Sequence, residues 1–129
     1  MHSAIVKDLR KYSSSEKASI SARFFKTGPG EYGEGDIFIG LTVPEQRSVA
    51  KKYNVASLLD IQKLLKSKIH EHRLTALLIL VEQFNMADRA KRKRIVDFYL
   101  RNLKSANNWD LVDLSADKIL GTYLLDKNK

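Results

Sequence analysis

An all-α fold is predicted by three features of this 129-residue sequence. Leu74, Leu77, Leu78 and Val81, with Phe84 next, recur at the i, i+3, i+4, i+7 spacing of one helix face. Ala76, Ile79 and Leu80 cover the other side, so this helix is apolar nearly all round and must be sandwiched between neighbours. Helix-start signals recur along the chain, at Thr42, Ser57 and Asp88. No convincing strand competes with them. Ile37-Phe38-Ile39 is β-prone, but three residues make at most an extended stretch inside a loop.

The elements follow in order. Residues 3–11 and 15–26 read as two amphipathic helices split by the serine run Ser13-Ser14-Ser15. Thr42-Val43-Pro44-Glu45 is a capping box: the Thr hydroxyl can accept the third backbone N–H while Glu45 reaches back. Pro44 is tolerated because first-turn amides have no partner within the helix. That helix should run to about Tyr53 and stop at Asn54. Ser57 caps a short helix through Leu65, and the apolar helix follows to Phe84. Asp88 opens a helix to Lys104, and Asn107 and Asn108 open the last, to about Leu125. Paired, the last four give two helical hairpins of roughly 40 residues each, the period of HEAT-type repeats. The expected architecture is a single domain over residues 1–129, an all-α HEAT-like helical-repeat superhelix.

Composition bounds the function. Hydrophobic residues make up 43% and charged residues 29%, which is globular. The absence of cysteine removes disulfides, thiolate metal sites and a Cys nucleophile, and fits a reducing, cytoplasmic location. The longest apolar run, Ala76-Leu77-Leu78-Ile79-Leu80-Val81, is far short of the roughly 18–20 residues of a membrane span. The first residues lack the apolar core of a signal peptide, so no membrane partner is expected. A net charge of +8 and a pI near 9.7 point to a polyanionic partner.

Two motifs are set aside. Gly28-Pro29-Gly30-Glu31-Tyr32-Gly33 matches G-x-G-x-x-G, but it follows a helix rather than a strand. Glu31, Glu34 and Asp36 would also repel phosphates. His70-Glu71-His72 could suggest metal ligands, yet residues two apart on a helix point in nearly opposite directions. They read as solvated helix-start residues. No metal or cofactor is expected.

Two clusters remain. Arg89, Lys91, Arg92, Lys93, Arg94, Arg101 and Lys104 crowd one helix against only Asp88 and Asp97. Ile95, Phe98, Tyr99 and Leu103 form its core-facing stripe. Lys93, Arg101 and Lys104 lie opposite, with Arg94 at the edge. Such a face is either merely solvated or contacts a phosphate backbone, and the basic remainder of the chain favours the latter. In Asn107-Asn108-Trp109-Asp110-Leu111-Val112-Asp113, Trp109 and Asp113 are four apart and share a helix face with Val112, Ala116 and Leu120. An acid in an apolar row needs a partner or a cleft. Spacing alone favours a core Trp beside a hydrogen-bonded structural Asp.

The blocks Gly40-Leu41-Thr42-Val43-Pro44-Glu45-Gln46-Arg47, Glu71-His72-Arg73-Leu74-Thr75-Ala76-Leu77 and Trp109-Asp110-Leu111-Val112-Asp113, in that order and spacing, resemble the AlkD-type DNA alkylation-repair glycosylases. The resemblance covers essentially the whole chain. It implies HEAT-like repeats and hydrolysis of the N-glycosidic bond of cationic alkylpurines, N7-alkylguanine and N3-alkyladenine, in double-stranded DNA. It also implies that Trp109 and Asp113 are the active-site tryptophan and catalytic aspartate. Family chains are nearly twice as long, and their later repeats supply an arginine and a second tryptophan to the cleft. By resemblance, then, this chain is the N-terminal half with part of the active site, weak or inactive alone. Its final helix, apolar on two sides, would pair two copies as a homodimer. The rival reading is a non-enzymatic helical-repeat module that binds nucleic acid or protein.

Overall fold

The computed structural model describes residues 1–24, 37–102 and 119. These hold six helices: α1 (His2–Lys11), α2 (Ser15–Phe24), α3 (Val43–Lys52), α4 (Leu58–Leu65), α5 (His70–Met86) and α6 (Arg89–Arg101). Among the described residues there is no strand, only an isolated parallel bridge between Ile37 and Ile69. The β-prone stretch thus remains loop. The glycine motif at 28–33 and the final helix, including its two apolar sides and the expected dimer contact, lie outside the described residues except for Ile119.

The caps form as the sequence dictates. Thr42 Oγ1 accepts the Glu45 N–H at 3.2 Å, and the Glu45 carboxylate accepts the Thr42 N–H at 2.8 Å. Ser57 Oγ accepts the Asp60 N–H at 3.1 Å to open α4. The α4–α5 pair is a helical hairpin closed by residues 66–69. Of the second hairpin expected from the spacing, only α6 belongs to the described residues.

α5 is the axle. From His70 to Val81 every residue is buried, because α3 and α4 pack along it and α6 joins its C-terminal end. α1 lies across α3 and α4 and contributes Ile5 and Leu9 to the same core. Ile61, Leu64 and Leu65 from α4, Val49 and Ala50 from α3, and Ile95, Phe98 and Tyr99 from α6 complete it, together with Ile119. At about 1.5–3 kcal/mol for each large apolar side chain taken from water, this core is the main source of stability.

The loop before α3 is held by a single carboxylate. Glu71, 1% exposed in the first turn of α5, accepts three backbone N–H groups. Ile39 donates to Oε1 at 3.1 Å, and Gly40 and Leu41 donate to Oε2 at 2.8 and 3.2 Å. Gly40 is at φ +85°, a region open to glycine, and a Cβ there would stand 1.9 Å from the Ser14 carbonyl oxygen. Ser14 N–H donates to the Ile39 carbonyl at 2.9 Å, so the loop is clasped from α2 as well. Asp8 joins α1 to the end of α3: Lys52 Nζ and the Tyr53 hydroxyl donate to Oδ2 at 2.7 and 2.6 Å.

Glu71→Gln keeps the size but points an amide NH2 at backbone donors. The expected cost is roughly 2–4 kcal/mol in urea unfolding with an unchanged m-value, whereas a loss below about 0.5 kcal/mol would show that the loop holds itself.

Hydrogen bonds from Lys52 and Tyr53 hold the Asp8 carboxyl at about 2, below the ordinary carboxylate value of 3.8. Its folded pKa is depressed, so its contribution is complete above about pH 4 and fades as pH falls towards 2. Asp8→Asn should therefore be less stable than wild type at neutral pH, with the gap closing over that window. Urea midpoints measured against pH check this, and a gap independent of pH would contradict it.

Candidate nucleic-acid interface

α6 carries the densest positive charge of the described residues. Asp88 caps it, its Oδ1 accepting the Lys91 N–H at 2.8 Å. Ile95, Val96, Phe98 and Tyr99 are buried against the stack, and Asn102 ends the helix with Nδ2 donating to the Phe98 carbonyl at 2.8 Å. Three of the four stripe residues expected from the sequence are confirmed as buried. The fourth, Leu103, lies outside the described residues. With the inner face fixed by these aromatic and branched side chains, Lys93, Arg94 and Arg101 are exposed on the outer one, beside Arg89 and Lys91. Lys104, Trp109 and Asp113 lie outside the described residues.

Arg92 leaves the surface set. Its Nε donates to the Phe84 carbonyl at 3.0 Å, and its guanidinium sits 4.6 Å from the Phe84 ring centroid. It closes the C-terminal end of α5 and pins α6 to it. Helical phase carries the signal: Arg92 is three residues before Ile95 and seven before Tyr99, on the buried stripe, whereas Lys91 and Lys93 beside it are exposed.

The acids explain why the outer charge goes unneutralised. Asp8 and Glu71 face inward to their partners, the Asp60 carboxylate accepts the Ser57 hydroxyl at 2.9 Å, and Asp88 caps α6. Glu45 serves the capping box and the Lys17 ammonium, 2.8 Å away, and that ammonium is the main reason its carboxyl lies below the ordinary value. Glu16, Glu82 and Asp97 are the only other acids among the described residues.

His70-Glu71-His72 requires a correction. These are not solvated helix-start residues: they are 3%, 1% and 7% exposed. The loop 37–42 covers His70 and Glu71. The His70 ring stacks on Phe38 at 4.6 Å between centroids, Glu71 clamps the loop, and His72 Nδ1 lies 3.0 Å from Ser67 Oγ. Burial pushes the His72 imidazole below its ordinary pKa. The three side chains thus reach different partners. Glu71 was the residue that sequence reasoning missed. Its signal was a carboxylate opening an otherwise apolar helix, with Gly40 in a loop that must approach closely.

The geometry defines a class: a stacked all-helical protein with a densely cationic outer helix. A family model described as DNA alkylation repair enzyme matches residues 5–129. The chain belongs to that family, as the three sequence blocks implied. No curated protein and no solved structure matches it.

Arg92→Ala should cost about 1–3 kcal/mol, through its hydrogen bond and its stacking on Phe84, while Lys93→Ala stays within about 0.5 kcal/mol. Thermal or urea unfolding checks the contrast. Equal effects would mean that Arg92 is a surface charge like its neighbour.

Proposed function

We propose that this chain takes part in base excision of cationic alkylpurines, N7-alkylguanine and N3-alkyladenine, from double-stranded DNA. Trp109 and Asp113 face the damaged nucleotide, and Lys93, Arg94, Arg101 and Lys104 hold the backbone. The observation that carries this reading is the family match over residues 5–129, which spans both Trp109 and Asp113. The exposed cations of α6 support it.

The chemistry suits those two side chains. When the bond from C1′ to the purine nitrogen breaks, its electron pair goes to the base and positive charge develops on the deoxyribose. A carboxylate near C1′ stabilises that charge and aligns the water that adds there, and an indole face contributes cation–π attraction. Because the lesion is already cationic it leaves readily, and no strong general acid is required.

Asp113→Asn should lower single-turnover release of 7-methylguanine from alkylated duplex by about 100-fold or more, with DNA affinity within about threefold of wild type. The measurement belongs in the longest natural form of the protein, at matched stability. Excision at the wild-type rate would overturn the role of Asp113. Failure of the wild type to release any base would favour a non-catalytic helical-repeat module.

A further inference from the structure

We infer that Asp97 is an electrostatic brake on DNA binding, a carboxylate set within the cationic face of α6 that weakens the hold on undamaged duplex. The inference rests on the proposed contact between that face and DNA phosphates. Asp97 is exposed, four residues after Lys93, three after Arg94 and four before Arg101. At helical spacing these three cations surround it on the outer surface. The acid-before-base order of Asp97 and Arg101 is the one that favours an ion pair. Yet among the described residues none closes on the carboxylate. The Arg101 Nε instead donates to the Asp97 backbone carbonyl at 3.3 Å.

The position has no structural explanation of the kind the neighbouring acids have. Among the described residues Asp97 caps no helix and contacts no buried backbone, and it sits in a helix interior, where aspartate is among the poorer residues. What it does is occupy the middle of the surface that phosphates would approach. A phosphate about 7 Å from this carboxylate in water loses roughly threefold in affinity. That repulsion acts on every sequence alike, because phosphates carry no sequence information. A protein that must sample long stretches of undamaged DNA gains from faster release, while contacts made only at a lesion are untouched.

The test uses the 129-residue chain and an undamaged duplex, with affinity measured over a range of salt concentrations. Asp97→Asn is expected to bind about threefold tighter or more at low salt, with a steeper dependence of log K on log salt and with the gain shrinking as salt rises. Lys93→Glu/Arg94→Glu/Arg101→Glu serves as the reference and should flatten the slope. A flattened slope in the triple variant with unchanged or weaker binding by Asp97→Asn would overturn the brake and leave the contact face standing. An unchanged slope in the triple variant would remove α6 from the contact, and the brake with it. Thermal unfolding of each variant keeps a folding defect apart from a binding effect.

Discussion

A carboxylate buried at the start of α5 must either find donors or lose its charge, and the fold is arranged around that requirement. Glu71 meets it with the consecutive N–H groups of Ile39, Gly40 and Leu41. Backbone amides in a loop need acceptors just as a buried carboxylate needs donors, so each side satisfies the other. The consequence reaches outward. Once residues 39–41 are fixed, Thr42 is placed to cap α3, and the Ile39 carbonyl is placed to receive Ser14 at the head of α2. Only glycine fits at position 40, where the loop runs against the Ser14 carbonyl. Two of the three sequence blocks that mark the family, one around Gly40 and one around Glu71, therefore meet at one hydrogen-bonded centre.

The same economy of acids shapes the surface. Among the described residues, carboxylates that clamp a loop, pair with Lys11, Lys17 and Lys52, or cap a helix are not available to the exposed cations of α6. Asp8 shows the principle well: it is held at about 2 by Lys52 and Tyr53, so it stays charged and occupied throughout the physiological range. Net charge alone says nothing about where potential appears. The internal use of the acids concentrates the unneutralised cations on outer faces, α6 above all.

Much of this fold was legible from local rules. Helix caps act over three or four residues, so Thr42, Ser57 and Asp88 could be read directly, and the all-round apolarity of α5 announced neighbours on every side. The parts that escaped are long-range. Glu71 reaches a loop some thirty residues earlier in the chain, and nothing in its own helix says whether such a carboxylate faces water or backbone. Arg92 falls on the buried stripe of α6 by helical phase, but its partner Phe84 lies on another helix, out of reach of any local rule. Of the candidate site, the outward placement of Lys93, Arg94 and Arg101 was readable from helical phase. The roles of Trp109 and Asp113 rest on family resemblance, because helical spacing alone favours an ordinary core pair.

The dependence on Glu71 is tested most directly by amide hydrogen exchange at Ile39, Gly40 and Leu41. Held by a buried carboxylate, these loop amides should be protected nearly as well as the interior of α5, and should lose that protection selectively in Glu71→Gln. Exchange in the wild type at the rate of an exposed loop would contradict the clamp, and with it the claim that one carboxylate positions α2, α3 and α5.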